Sequence, residues 1–163
     1  MNSVATNAEE LATAKVDAAR LYLDDVRALE TKLRFAKAEY QMALERSSGL
    51  KGIDYSCDSV TTSPTADAIP NAVERYTELK DQLDALTIVV EDAVAERDKL
   101  LNSLTTESGV VLRMRQQGAK VTDIAYALGY VEREIYRRQR AGLEELYDAG
   151  LPVEYRINWQ KAI

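Results

Sequence analysis

The stretch Val121-Thr122-Asp123-Ile124-Ala125-Tyr126-Ala127-Leu128-Gly129-Tyr130 decides how the last third of this chain folds. Ile124 and Leu128 stand four residues apart and share one face of a helix. Ala125, beside them, is small enough for a second helix to cross closely. Gly129 can take a left-handed backbone conformation and so end the helix. A second helix then starts at Val131 or Glu132 and continues to about Ala149, with Ile135 as its apolar anchor. Apolar, small, apolar, glycine, anchor is the spacing of a helix-turn-helix. Thr122 or Lys120 opens the first of the two helices after Gly118. Gly109 to Gln117 supplies a third, with Val110, Val111, Leu112 and Met114 available for the core.

The second helix can be read by angle. With Ile135 at zero and about 100° per residue, Leu146 falls near ~20°, Gly142 near ~340° and Leu143 near ~80°. These residues form the expected buried face. Tyr136, Arg140, Arg133 and Arg137 fall at about 100°, 140°, 160° and 200°, opposite the anchor. In a helix-turn-helix the first turns of this helix enter the major groove of double-stranded DNA, where arginine can pair with guanine edges or with phosphates. The expected core is Ile124, Ala125, Leu128, Gly129, Ile135 and Leu143. The expected DNA-binding residues are Lys120, Thr122, Glu132, Arg133, Tyr136, Arg137 and Arg140. Arg133 and Arg137 are assigned to base edges, Tyr136 to a base or sugar, and Arg140 to phosphate. Glu134 and Arg138, four residues apart, read as a surface ion pair.

Charge supports this division. The whole chain of 163 residues carries a net −6, yet residues 107–142 hold seven basic and four acidic side chains, a net +3. Residues 1–106 hold 12 basic and 19 acidic side chains, a net −7. A basic module on an acidic body marks a local site for a polyanion.

Upstream, two long helical patterns flank one loop. Between about Ala8 and Glu45, Tyr22, Val26, Leu29, Leu33, Ala36, Tyr40 and Ala43 recur at alternating steps of four and three, a heptad seam. Thr6 or Asn7 could cap this helix, with Glu9 and Glu10 near its positive end. A second seam runs Tyr76, Leu79, Leu83, Leu86, Val90, Ala93, Arg97, Leu100, Leu104, in a helix from Ala68 or Asn71 to Asn102. Two such helices joined by one loop predict an antiparallel hairpin. Leu21, Leu44, Val73, Ile88, Val89 and Val94 widen the stripes, either as more core or as a surface for a second copy. The loop, 47–70, is long for a connection in a compact domain. It reads either as an ordered cap over the end of the hairpin or as a segment that contacts a partner or DNA backbone through Lys51. Cys57 has no basic neighbour in sequence to activate it. After Gly150 and Pro152, Val153, Tyr155, Ile157 and Trp159 alternate with polar residues, which is strand periodicity. Such a tail could pack across its own chain or exchange with another subunit.

Composition narrows the classes further. A chain with 46 % hydrophobic residues should fold. It contains no histidine and a single cysteine. His-based acid–base catalysis, the usual zinc sites and an internal disulfide are therefore excluded. No cofactor or metal is expected and the chain does not read as an enzyme. No apolar run approaches the ~20 residues that span a bilayer, and the N-terminus lacks a signal-peptide pattern, so a cytoplasmic protein of a bacterial host cell is expected.

Residues 120–146, through Gly129-Tyr130, Arg133, Ile135, Tyr136, Ala141 and Leu143, resemble region 4 of sigma factors, the part that reads the promoter −35 element. From about residue 20 to 147 the chain resembles a family of small proteins of phages and prophages of Gram-positive bacteria, near late transcription regulators of the ArpU and RinA type. Tyr22-Leu23-Asp24-Asp25-Val26-Arg27-Ala28-Leu29-Glu30, Gly49-Leu50-Lys51-Gly52-Ile53-Asp54-Tyr55-Ser56 and Val60-Thr61-Thr62-Ser63-Pro64 carry that likeness. The chain departs from the pattern at Val131, where the turn usually has Ser or Thr, and the acidic run expected before the third helix is missing around Ser103 to Gly109.

The sequence thus predicts an all-α protein with three parts: a helical hairpin over 1–104, a sigma-like helix-turn-helix over 105–149 and an extended tail over 150–163. The expected function is a phage-type transcriptional regulator that binds double-stranded DNA, its acidic hairpin serving either to form a homo-oligomer, with a dimer favoured, or to contact host RNA polymerase. Two rivals remain: a DNA-packaging protein like a small terminase subunit, and an interaction or inhibitor protein that does not bind DNA.

Overall fold

The computed structural model describes residues 3–49 and 68–156, with side chains for residues 8–45 and 74–156. The fold is all-α, and no strand occurs among the described residues. Its elements are α1 (Ser3–Gly49), α2 (Ala68–Ser103), α3 (Glu107–Gln116), α4 (Val121–Leu128), α5 (Glu132–Gly150) and a 3₁₀ turn at Val153–Tyr155. No described helix is long and apolar enough to cross a membrane. The readings of Lys51 and Cys57, and of the tail beyond Arg156, lie outside the described residues.

α1 begins at Ser3, so Thr6 and Asn7 are inside the helix rather than capping it. α2 begins at Ala68, with Pro70 in its first turn and Asn71 inside the helix. Proline is tolerated there because the first N–H groups of a helix have no intrahelical partner. The heptad positions behave as the periodicity implies: Tyr22, Val26, Val90 and Leu104 are buried, and the other seam residues are half-buried.

The described chain divides into two compact units, Met1–Arg27 with Ala93–Ile163, and Ala28–Asp92. This differs from the expected boundaries after residues 104 and 149. The reason is the size of the C-terminal module. Three short helices cannot close a core alone, and the start of α1 and the end of α2 complete it. Val16, Ala19, Leu23 and Val26 of α1 and Leu101 of α2 form one cluster with Leu104, Leu112, Leu143, Leu146 and Leu151. A second cluster joins Val111, Val121, Ile124, Ala125 and Ile135.

The tail differs from its strand reading as well. Val153–Tyr155 is a 3₁₀ turn, in which Tyr155 N–H donates to Pro152 O at 3.0 Å. Tyr155 packs edge-on against Tyr22 with ring centroids 5.2 Å apart, and its hydroxyl donates to Asp25 at 2.9 Å. Burial, joined by the Asp25 hydrogen bond, pushes the Tyr155 phenol up to about 12. The alternation of apolar residues arises here from a short tight turn docked on α1, so Tyr155 faces inward while Val153 stays exposed.

In the unit formed by Ala28–Asp92, Tyr40 stacks on Tyr76 with centroids 5.1 Å apart and their hydroxyls hydrogen-bond. An open groove of about 380 Å³ runs between Phe35, Ala36, Leu79, Leu83 and Leu86. Of the residues expected to widen the stripes, Ile88 and Val89 remain largely exposed here, as does Leu21 in the other unit, whereas Val94 packs on the first cluster. Leu44 is also exposed.

Candidate nucleic-acid interface

The surface that the sequence singles out is built on α3, α4 and α5. Thr106 caps α3, its hydroxyl accepting from Gly109 N–H at 3.0 Å, and it also bonds Glu145 of α5. α4 ends at Gly129, which sits at φ 71° and ψ 27°. Tyr130 N–H reaches back to Ala125 O at 2.9 Å and Gly129 N–H to Tyr126 O at 3.4 Å, the paired bonds of a Schellman motif. Only Tyr130 and Val131 separate that glycine from the first residue of α5, so this geometry fixes the direction in which α5 leaves.

α5 buries Ile135, Gly142, Leu143 and Leu146, as the angular reading expects. Ile124 and Ala125 of α4 are also buried. Leu128 and Gly129 are not: Leu128 is 37 % exposed and Gly129, in the turn, is exposed too, which corrects their assignment to the core. The helix stops at Leu128, beyond the point where α5 crosses, and Val121, three residues before Ile124, takes the third buried position. The stripe follows the i, i+3 diagonal instead of i, i+4. Half-buried Tyr130 packs against the same cluster from the turn.

The predicted contact residues Lys120, Thr122, Glu132, Arg133, Tyr136, Arg137 and Arg140 are all exposed. They lie on the α4 start and on the outer side of α5. Among the described residues, Arg133 has neither a hydrogen bond nor an ion pair. Arg137 pairs with Glu134 at 2.9 Å, and that bond holds the Glu134 carboxyl below its usual range. Arg140 donates to the Thr13 hydroxyl of α1 at 3.2 Å and stands 3.7 Å from Glu144. The structure therefore gives Arg140 an internal role beside any external one.

Arg138 is more than half of a surface pair. Its guanidinium lies 4.2 Å from the centre of the Tyr130 ring, contacts Glu107 and stands 3.1 Å from Glu134. Tyr130 in turn donates to Glu107 at 3.1 Å. This cluster staples the start of α3 and the turn to α5. Cation–π contact and half-buried pairing are worth more here than in an isolated exposed pair.

A large side chain outside the predicted set also faces outward. Tyr126 is 93 % exposed on the outer side of α4. Its signal is positional, because two residues after Ile124 place it about 200° around the helix from that buried side chain. Among the described residues no group of carboxylates and cysteines could hold a metal.

Comparison with protein families, with curated proteins and with solved structures gives no match.

Proposed function

We propose that this protein binds double-stranded DNA by laying the first turns of α5 in the major groove and acts as a phage-type transcriptional regulator. The observation that carries this reading is the outer side of α5's first turns, where unpartnered Arg133 stands with exposed Tyr136 and Arg137. An exposed arginine without a partner is an available donor for base edges or phosphates. The +3 balance of residues 107–142 on an acidic chain supports the same reading. Arg133 and Arg137 reach bases, Tyr136 a base or sugar, and Lys120 and Thr122 the backbone beside them. The acidic helices α1 and α2 serve dimerisation or contact with RNA polymerase.

A second reading has an observation of its own. Arg137, Arg138 and Arg140 each have an internal carboxylate neighbour, as the surface of a protein-binding module would. One experiment separates the two. Purified protein and an Arg133→Ala/Arg137→Ala variant are titrated with labelled DNA fragments across a salt series. Saturable binding to one fragment that weakens with salt and is lost in the variant is the expected result. Absence of binding at low salt would refute the DNA reading in favour of the protein-binding one.

A further inference from the structure

A second basic feature lies where α1, α3 and α5 meet. Arg20 and Arg27 of α1, Arg115 and Gln116 at the end of α3, and Gln139 of α5 line a polar notch of about 160 Å³. Three guanidiniums converge there with two carboxamides, against one lining carboxylate, Asp24. That acid is weakly engaged, since Arg27 stands 4.0 Å from it, and Arg20 stands 3.6 Å from Asp17 outside the notch. Arg27 is steered by Gln116, whose side-chain oxygen accepts from it at 3.3 Å. Arg115 is held by a bond from its Nη1 to Ala119 O at 2.8 Å, and its Nε is enclosed without an acceptor. The guanidinium is thus fixed by the fold while part of its donor capacity is unused.

We infer that this notch receives a phosphate of the DNA backbone, a contact made by α1 and α3 apart from the exposed arginines of α5. The inference rests on the DNA reading above. Gln139 falls at about 40° from Ile135, between Leu146 and Leu143, and is half-buried, so the notch opens at the edge where α5 packs on α1 and α3. Guanidinium and carboxamide donors are the groups that commonly hold backbone phosphates, and such contacts set register without reading sequence. Arg20 and Arg27 are one heptad apart on α1, which points both to the same side of that helix. The long helix therefore does more than close the core: its first half supplies cations where the C-terminal module has few free ones.

The test uses Arg20→Gln/Arg27→Gln and Arg20→Lys/Arg27→Lys pairs in the full chain. Both positions are largely exposed, so melting temperatures should match the parent. The Gln pair should weaken binding to all fragments by the same factor, about tenfold, and lower the salt slope by about one. The Lys pair should keep most of the slope, because a point charge still neutralises phosphate. A Gln pair with the parent's affinity and slope, alongside an Arg133→Ala variant that binds poorly, would overturn the notch and leave the DNA reading intact. A parent protein that binds no fragment at low salt would overturn both.

Discussion

Gly142→Ala tests how α5 is seated on α3. In an isolated helix this change would stabilise by about 1 kcal/mol, since glycine is the poorer helix former. Here the added Cβ would stand 2.6 Å from Ser108 O, 3.1 Å from Leu112 Cβ and 3.1 Å from Ser108 C. Carbon atoms in contact prefer about 3.5–4.0 Å, so α3 would have to move away by roughly half an ångström or more. The nearest obstacle is backbone, which cannot rotate aside, and Leu112 behind it is fully buried. Overpacking of this kind costs about 1–3 kcal/mol, and a clash with backbone belongs at the upper end. Offset by the helix gain, the net loss is about 1–2 kcal/mol. For a chain of this size that corresponds to a fall in Tm of roughly 2–8 °C. Thermal unfolding followed by circular dichroism would measure it, with urea unfolding as a second estimate. A variant that melts at or above the parent temperature would refute the close crossing of α3 and α5 at this residue.

Other changes follow from single observations. Val131 holds the N-cap position of α5 at φ −83° and ψ 152° with no side-chain cap, so Val131→Thr should stabilise by about 0.5–1 kcal/mol in a urea melt. Burial pushes the phenol of Tyr22 up to about 12, and Tyr155 is raised likewise. The folded protein therefore holds these protons more tightly than the unfolded chain, whose tyrosines titrate near ~10. The stability they contribute is complete below that pH and is lost as pH rises towards about 12, which tyrosinate absorbance and circular dichroism recorded together should show. The Tyr22 hydroxyl is buried without a hydrogen-bond partner, so Tyr22→Phe should leave stability equal or raise it by up to about 1 kcal/mol and shift the alkaline transition upward. Glu134→Gln removes the internal counter-charge of Arg137, and in the DNA-binding assay it should raise affinity several-fold; unchanged affinity would mean that Arg137 does not face DNA.

Periodicity made much of this architecture legible. Residues that share an angle on a long helix share a fate, so the seam through Tyr22 and Val26 and the buried face of Ile135, Gly142, Leu143 and Leu146 could be named before any coordinates. Gly129 could be placed because its φ of 71° suits a residue without a Cβ. Three kinds of feature could not be read this way. Where a helix ends relative to its crossing partner exposed Leu128 and buried Val121, two positions that the pattern alone ranks the other way. Which cations are already engaged depended on residues distant in sequence: Glu107 lies 31 positions from Arg138, and Thr13 lies 127 from Arg140. The convergence of Arg20, Arg27 and Arg115 likewise needed α1 to lie beside α3. The alternation at Val153 and Tyr155 had two local solutions, a strand or a tight turn. Tyr22 and Asp25 selected the turn by receiving the Tyr155 ring and hydroxyl. Helix faces follow from the 3.6-residue repeat of the chain itself, whereas helix register, charge pairing and the choice between local conformations are set by contacts between segments that the repeat does not relate.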